Sequence, residues 1–493
     1  MIGGDVAAAA GDFDASFAQG GIVRLSGDLS LPTDGQATSI TVDGAGKLLV
    51  TGFDNQKRAG VFARVFPSGS LDPGFAGKGF MLLPAGPMPL YSFREPTQAF
   101  PLSNGNILLI ERVSNICFGS AGGCSVSNTV LPRNRATRIS GDGIVDVTYN
   151  GGFNGGETPL SFAPTNISLE LDGALTVIGV QNVFPAKRMF LARYDASGKP
   201  DTSFSQDAVA ASINCGAAYT LPPVSMLTAR HSNNRLLVAQ QFKNGVTQSN
   251  DICITRLNQD GSRDTTFGTG GQMLVSDAGL ANHFPFKFLI RSDGGINVLL
   301  LNGAPKLRHQ PAIIWLTANG ALDTTRGSLG VTNPVVGAIS SITAATLQTD
   351  DKILFVGYGA SPGNVGAVDE TAPRIARQDA RGAIDFSFGS FRGGYANLYS
   401  GTTRFAPSDV IIAPDGGIYL AGGAGDSNLA TPTAIAVAKL LGDPAPVSPP
   451  ADVGGGGCGF TRNGPIDPML PTILSVAAWY LFGRRRIASA SAS

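Results

Sequence analysis

The segment Asp260-Gly-Ser-Arg-Asp264-Thr-Thr-Phe267-Gly-Thr-Gly-Gly271 decides the fold, because versions of it return along the whole chain. Six other segments carry the same aspartate, in most cases with a glycine three residues before it and an aromatic residue three after. The repeated aspartates are Asp14, Asp72, Asp146, Asp201, Asp264, Asp323 and Asp385. Their spacing averages about 62 residues, which is too long for tetratricopeptide or leucine-rich repeats and suits one β-propeller blade with long loops.

Two further patterns lie between successive copies of this segment. Short apolar runs follow the turn residues at positions 46, 105, 173, 234, 294, 351 and 416, and a third series resembles Val61-Phe-Ala-Arg-Val65. Such runs are typical of buried strands. With two less regular strands added, each unit supplies four strands, the number in a propeller blade.

Residues 12–441 show no long stretch with the 3.6-residue periodicity of an amphipathic helix. We therefore predict an all-β fold, a seven-bladed β-propeller of four-stranded antiparallel blades over residues 12–441. A strand contributed by one terminus could close the ring and would shift the blade boundaries without changing their number. An open solenoid is the alternative.

The repeated turn has a physical explanation. Its aspartate can accept a hydrogen bond from the amide two residues later, and its glycine can supply a positive φ. The aromatic residue then points inward as a plug between neighbouring sheets, and the predicted plugs are Phe17, Phe75, Tyr149, Phe204, Phe267 and Phe388. Arg326 stands at the aromatic position of one unit, where we expect a weak plug through divergence or a local ligand surface.

Two functional alternatives exist for the repeated charges. The seven aspartates could form a ring of metal-binding or catalytic carboxylates, although turn chemistry already accounts for each of them. Arginines recur on the strand before the turn, at Arg64, Arg138, Arg193, Arg256 and Arg377. We expect them to pair with the repeat aspartates, and recognition of an anionic ligand is the alternative.

Composition restricts the function. The 493 residues include 36 Lys and Arg against 36 Asp and Glu, so charge gives no argument for a nucleic-acid partner. The 65 glycines favour turns over helices. Three histidines and five cysteines leave little material for metal sites or histidine-dependent catalysis, and the sequence predicts no cofactor.

The cysteines suggest two disulfides if the chain is exported. Cys117 and Cys124 could close a small loop, and Cys215 and Cys253 fall within one unit. Free buried thiols are the alternative. A metal site would need further ligands at suitable spacing.

Both ends of the chain differ from the repeats. Residues 442–457 form a Pro/Gly-rich linker, and residues 458–493 hold an apolar run, 466–482, before Arg484, Arg485 and Arg486. We predict a short hydrophobic helix there that anchors with its basic end in the cytoplasm, and a docking strand or helix is the alternative. Residues 1–11 lack a basic region and a long apolar core, so we expect them to be the remnant of an export-signal region.

The repeat resembles the delta-60 repeat family, whose pattern is matched closely by residues 260–271 and more loosely over residues 12–441. That resemblance implies a propeller architecture and no particular reaction. The tail is similar to bacterial GlyGly-CTERM and JDVT-CTERM sorting signals through Gly457-Cys458, Asp467-Pro468 and Leu470-Pro471. It implies a sorting protease as partner, Gly457 and Cys458 as candidate processing or lipid-attachment residues, and a bacterial protein exported to the envelope or surface, or released.

Function is predicted less sharply than architecture. We expect a surface-displayed binding or scaffold module for a protein, glycan or matrix component, using loops at 113–135, 243–251 and 359–372. No catalytic motif is present, so an enzyme is not predicted. The alternatives are a polysaccharide lyase or hydrolase with its active site at the central channel, and a purely structural envelope role.

Overall fold

The computed structural model describes residues 9–18, 20–25, 35–55, 59–83, 91–116, 133–150, 157–160, 164–183, 186–204, 213, 215, 225–243, 250–276, 283–302, 311–332, 339–359, 372–389, 393–426 and 434–443. Residues 1–443 form one compact unit, and residues 444–493 form a separate unit outside the described residues.

The described part of the chain is built from antiparallel sheets, which we number as blades 1 to 7. The chain begins with the short strand β1 (Ile22–Arg24). Blade 1 contains β2 (Gly35–Val42), β3 (Leu48–Asp54), β4 (Ala59–Val65) and β5 (Phe80–Leu83). Blade 2 contains β6 (Tyr91–Pro101), β7 (Ile107–Ile116), β8 (Arg133–Ile139) and β9 (Glu157–Leu160). Blade 3 contains β10 (Pro164–Leu169), β11 (Leu175–Val183) and β12 (Ala186–Tyr194).

The second half repeats this order. Blade 4 contains β13 (Ser225–Arg230), β14 (Leu236–Lys243), β15 (Asn250–Leu257) and β16 (Gln272–Val275). Blade 5 contains β17 (His283–Ile290), β18 (Ile296–Asn302), β19 (Pro311–Leu316) and β20 (Val331–Thr332). Blade 6 contains β21 (Ser341–Leu347), β22 (Ile353–Gly359), β23 (Ala372–Gln378) and β24 (Tyr395–Asn397). Blade 7 contains β25 (Tyr399–Ser400), β26 (Thr403–Ile412), β27 (Ile418–Asp426) and β28 (Ala434–Leu440).

The predicted seven-bladed, all-β propeller is confirmed. A three-residue 3-10 turn, Ser232–Asn234, lies between β13 and β14. Blade 3 shows three strands among the described residues, because most of residues 205–224, where its fourth strand would fall, lie outside them. The predicted C-terminal helix also lies outside them. In the described ranges no helix has the length and apolar character needed to cross a bilayer.

The N-terminal segment completes blade 7. Strand β1 pairs antiparallel with β28, with Ile22 opposite Ala438, so the outer strand of the last blade comes from the start of the chain. Phe13 bridges to Leu440, which places the first repeat turn on the same blade. The sequence units are therefore offset from the blades, because the turn that contains Asp14 belongs to blade 7 rather than to a unit of its own.

The core lies between the blades. In the described residues, one hydrophobic cluster fills each of the seven spaces between neighbouring blades. The cluster between blades 7 and 1 includes Ile40, Tyr419 and Val437, so the ring is closed by apolar packing as well as by β1. Each predicted plug is buried in one of these clusters: Phe17, Phe75, Tyr149, Phe204, Phe267 and Phe388.

Candidate functional site

The two ends of the blades differ. In an antiparallel blade, the turns between first and second strands and between third and fourth strands lie at one end, which we call the turn face. The connections between second and third strands lie at the opposite end, which we call the loop face. All seven first-to-second turns contain five residues: 43–47, 102–106, 170–174, 231–235, 291–295, 348–352 and 413–417.

The loop face has no such uniformity. Its second-to-third connections range from two residues, 184–185, to sixteen residues, 117–132. The three loops that we expected to bind ligands, at 113–135, 243–251 and 359–372, all belong to this set and come from blades 2, 4 and 6. Strand structure extends into their ends, and the central part of each loop lies outside the described residues.

Two arginine–tyrosine pairs lie on opposite sides of the sheet of blade 6. We call them the Arg–Tyr pairs: Arg404 of blade 7 lies over Tyr358, and Arg374 lies over Tyr395, which packs against the hydrophobic cluster between blades 5 and 6. The Arg374 guanidinium lies 5.1 Å from the Tyr395 ring centre, and the Arg404 guanidinium lies 5.9 Å from the Tyr358 ring centre. Arg374 Nε also donates to Asn397 Oδ1 at 3.1 Å.

Burial changes the acid–base behaviour of both pairs. It raises the pKa of the Tyr358 hydroxyl and lowers the pKa of Arg374, because both charged forms lose solvation. Tyr358 and Arg374 stand near the ends of β22 and β23, next to the connection 360–371. Stacked arginine and tyrosine are well suited to recognise a polar partner through hydrogen bonds and planar faces.

The repeat aspartates have a structural task on the turn face. In all seven turns, Oδ1 accepts a hydrogen bond from the amide two residues later, at 2.9–3.3 Å, from Asp14, Asp72, Asp146, Asp201, Asp264, Asp323 and Asp385. The second oxygen binds a basic side chain. Asp264 Oδ2 accepts from Arg256 Nε at 2.7 Å, and the other four arginines of the sequence pattern pair with their aspartates in the same way: Arg64, Arg138, Arg193 and Arg377.

Three of these arginines, Arg64, Arg138 and Arg256, also donate to a carbonyl of the next blade. The guanidinium of Arg256 lies 4.7 Å from the centre of the Phe267 ring, and its Nη1 donates to the carbonyl of Ala318 in blade 5 at 2.7 Å. Arg138 makes the equivalent contacts with Tyr149 and Ala196. The arginines are therefore occupied by the scaffold, which leaves no basis for an anion site there.

These contacts determine the ionisation of the aspartates. For Asp264, burial raises the pKa, but hydrogen bonds from Thr266 and Arg256 outweigh burial and lower the pKa below its ordinary value. For Asp146 and Asp201, the hydroxyls of Thr148 and Ser203 contribute most to a lowered pKa. Carboxylates held in this way favour a permanently ionised structural role over a proton-transfer role.

Blade 5 corrects the expectation of a weak plug at Arg326. Trp315 occupies the strand position that holds an arginine in five other blades, and it is fully buried between blades 5 and 6. The Arg326 guanidinium lies 5.3 Å from the Trp315 ring centre, and Arg326 Nη1 donates to the carbonyl of Ala380 in blade 6. The cation and the aromatic ring have exchanged positions, so the plug is present but is carried by the strand.

The first strands line the central channel, and part of their polar surface is already satisfied. Asp409 Oδ2 accepts from Ser39 Oγ at 3.0 Å and from the Ile40 amide at 3.1 Å in the next blade. Asn166 Oδ1 accepts from the amide and hydroxyl of Thr228 in the same manner. These side chains hold neighbouring blades together at the channel wall.

A cavity of about 280 Å³ opens on the turn face between blades 2 and 3. Its most buried acid is Glu170, which accepts from Thr176 Oγ1 at 2.6 Å and pairs with Arg193 Nη2 at 2.8 Å and with Arg230. The hydrogen bond that Arg193 donates to Glu170 is the main reason why the pKa of Arg193 is raised. Glu170 is thus part of a network between blades 3 and 4 in which both of its carboxylate oxygens accept from arginine.

The remaining sequence candidates divide into two groups. Cys215 and Cys253 form a disulfide that ties the connection between blades 3 and 4 to strand β15. Cys117, Cys124, Gly457, Cys458 and the arginines Arg484, Arg485 and Arg486 lie outside the described residues. Within the described ranges, no three His, Cys, Asp or Glu side chains are grouped closely enough to hold a metal ion.

Family comparison agrees with this geometry. Two segments, residues 46–75 and 231–267, match the model of a family described as "Domain of unknown function (DUF5122) beta-propeller". The protein is a β-propeller. Each segment ends on a plug, Phe75 or Phe267, so the match covers the second and third strands and the repeat turns of blades 1 and 4. No curated protein matches the chain.

Several solved structures have a similar fold. Polysaccharide lyase Uly1 is 12% identical over 83% of this chain and 90% of its own, with a TM-score of 0.44. The Hadza microbial sialidase Hz136 is 10% identical over 80% and 73%, with a TM-score of 0.37. A protein of unknown function from Dyadobacter fermentans DSM 18053 is 13% identical over 70% and 96%, with a TM-score of 0.36. At this level of similarity, no residue role is transferred from them.

Two features were missed by the sequence analysis. The Arg–Tyr pairs join residues of different strands, Arg374 with Tyr395 and Arg404 with Tyr358, at no common repeat position, so only the fold brings the members of each pair together. The exchange in blade 5 did leave a signal, because Trp315 replaces the strand arginine in the same unit in which Arg326 replaces the aromatic residue.

Proposed function

We propose that the protein is an exported, surface-displayed β-propeller that binds a protein, glycan or matrix component through its loop face. The observation that carries this proposal is the contrast between the first-to-second turns, all seven of which contain five residues, and the second-to-third connections at the opposite end, which contain two to sixteen. A rigid scaffold with variable connections at one end is the usual arrangement of a binding surface.

The charges on the turn face support the same assignment. The seven repeat aspartates and their basic partners are occupied in holding turns and blades, so they offer no reactive acid or base. The Tyr358–Arg404 pair, by contrast, stands at the loop-face ends of β22 and β26, and Tyr358 lies beside the twelve-residue connection 360–371. We assign this pair and the connection 117–132 as the principal binding elements.

Export and processing are proposed from the sequence of the tail. Its linker, Gly457-Cys458, apolar run and three arginines suit a substrate of a sorting protease that retains the protein on the cell surface or releases it. Surface labelling of intact cells and mass spectrometry of the mature C-terminus test this part. A mature protein found in the cytoplasm would refute it.

Binding is tested with the full-length chain on arrays of purified polysaccharides and of extracellular proteins. Two variants change the loop face: one replaces residues 117–132 with a short Gly-Asn-Gly turn, and the other is Arg404→Ala. Ser103→Ala, in a five-residue turn on the turn face, is the matched control. We expect the control to bind like the wild type and the loop-face variants to bind at least about tenfold more weakly, as for loss of a contact worth roughly 1.4 kcal/mol.

Three outcomes would overturn the proposal. The wild type could bind no probe, the loop-face variants could retain full binding, or the wild type could depolymerise the polysaccharide that it binds. The third outcome would favour an enzyme of the lyase or hydrolase type instead.

A further inference from the structure

Five exposed apolar side chains lie in described turns of the turn face. Among the described residues, seven large hydrophobic side chains are exposed, and five of them project from turns on this face. They are Ile144 (66% exposed), Val147 (60%), Leu171 (85%), Leu329 (75%) and Phe386 (63%). The other two, Leu274 and Tyr399, lie on strands rather than in these turns.

Their distribution indicates the shape of a partner. Ile144 and Val147 lie in the repeat turn of blade 2, Leu171 in blade 3, Leu329 in blade 5 and Phe386 in blade 6. Single exposed apolar residues are common on protein surfaces, but these are spread over four blades on one face of the ring. Side chains at several separate points of one face suit an extended apolar partner better than a peptide or a small ligand.

The point at which the chain leaves the propeller lies on the same face. Asp443 Oδ1 pairs with Arg377 at 2.8 Å, and Asp443 Oδ2 pairs with Lys352 at 3.2 Å, so the last described residue is held in the turn network of blade 6. Fifty residues follow, with an apolar run at 466–482 and arginines at 484–486. A segment of this composition favours the membrane and its interface.

The repeat aspartates of the turn face carry counterions within the fold, whereas the exposed aspartates of its turns, such as Asp172 and Asp293, stay at the level of the headgroups and water. The repeat aspartates are each paired with a lysine or arginine, as in Asp14 with Lys439 and Asp385 with Arg377. Each repeat carboxylate therefore keeps its basic partner when the face approaches a headgroup layer. Partial burial of side chains such as Leu171 and Phe386 at the acyl boundary would be favourable.

From these observations we infer that the turn face lies against a lipid bilayer and that the loop face points away from it. This inference rests on the proposed surface display and adds an orientation to it. The lipid contacts are made by Ile144, Val147, Leu171, Leu329 and Phe386, and the binding surface is held at the far side of the propeller.

The test uses the full-length chain bound to vesicles of phosphatidylethanolamine and phosphatidylglycerol. A photoreactive benzophenone residue is incorporated at position 171 or 386 on the turn face, at position 404 on the loop face, or at position 274 on an outer strand. Vesicle flotation measures association, and photocrosslinking to labelled lipid measures contact. We expect crosslinks at 171 and 386 to exceed those at 274 and 404 by at least about tenfold, because only the first two reach the acyl boundary.

A combined variant checks that the apolar side chains cause the contact. Ile144→Ser, Val147→Ser and Phe386→Ser together should reduce lipid crosslinking from position 171 severalfold, and Leu274→Ser should not. Flotation without lipid crosslinks from the turn face, crosslinks mainly from position 404, or crosslinks from 171 to a second copy of the chain would each overturn the inference. Failure of the chain to float would instead refute the membrane attachment on which the inference rests.

Discussion

The guanidinium of Arg326 lies over the ring of Trp315 and donates to the carbonyl of Ala380 in the next blade. Here the ring is on the strand and the arginine is in the turn, which is the reverse of the arrangement with a strand arginine and a turn aromatic residue. In blade 4 the arginine, Arg256, is on the strand and the ring, Phe267, is in the turn. Both arrangements place one cation and one ring between neighbouring blades. The contact is therefore a property of the interface, and its two positions can exchange partners.

This exchange predicts strong coupling between two substitutions. Trp315→Arg places a second cation beside Arg326. Arg326→Phe places a second ring beside Trp315 and removes the cation from the interface. Each single variant should lose about 2–5 kcal/mol of unfolding free energy. The double variant restores the pattern of the other blades and should recover at least about 1–3 kcal/mol of the summed loss, measured by urea unfolding in a double-mutant cycle.

Trp315→Phe with the wild-type arginine is the matched control, because it keeps the ring on the strand. Additive losses in the double variant would show that the two positions do not form one contact.

The buried amide of Gln378 leads us to predict a stabilising substitution at this position. The side chain is buried, and its amide nitrogen and oxygen find no hydrogen-bond partner among the described residues. The equivalent position, opposite the first residue of the second strand, is apolar in every other blade: Val65, Ile139, Tyr194, Leu257, Leu316 and Leu440. Gln378→Leu should therefore raise the unfolding free energy by about 1–3 kcal/mol, because it removes the cost of an unsatisfied buried amide.

Leu440→Gln is the mirror control, since it introduces the same amide at the same position of blade 7. It should destabilise the protein by a comparable amount. A neutral or destabilising Gln378→Leu would mean that the amide is satisfied by water in solution.

The repeat explains what could be predicted from sequence. Asp264 and Phe267 recur because each blade needs the same turn and plug, so periodicity predicted the blade number, the strand order and the buried aromatics. Local patterns allowed closure by a strand from either terminus but could not predict which turn belongs to the last blade, because Asp14 reaches its partner Lys439 only after the ring has closed. The pairing of Arg404 with Tyr358 was invisible for the same reason, since these two residues meet through the packing of blades 6 and 7.

The repeat aspartates predict acid lability. Asp264 has a folded pKa below the ordinary 3.8, so it stabilises the fold above the unfolded value, and this stability is lost as pH falls through the folded pKa. The wild type should lose stability between about pH 5 and pH 2. Asp264→Asn should be less stable at neutral pH but should show a flatter decline over that range.

Thermal unfolding monitored by circular dichroism across this pH range measures both effects. Asp142→Asn, an exposed aspartate outside the repeat position, is the control for the loss of one negative charge. Parallel pH profiles for wild type and Asp264→Asn would exclude the proposed linkage.

The disulfide between Cys215 and Cys253 should stabilise the folded state. It closes a loop with a sequence separation of 38 residues. Restricting the unfolded chain to this extent is worth about 2–4 kcal/mol. Cys215→Ser combined with Cys253→Ser should lower the urea midpoint under oxidising conditions and leave it insensitive to reductant, whereas the wild type should lose stability when dithiothreitol is added.

Ring closure makes a prediction about the N-terminal segment. Phe17 is buried between blades 7 and 1 and meets the Tyr419 ring edge-on at 5.8 Å, although it lies near the start of the chain. If the segment is an integral part of blade 7, Phe17→Ala should cost about 3–5 kcal/mol, the same as Phe75→Ala between blades 1 and 2. If the segment is only an appendage that frays independently, Phe17→Ala should leave the global urea transition unchanged. Equal losses with a single cooperative transition would therefore demonstrate that residues near the N-terminus hold the ring closed.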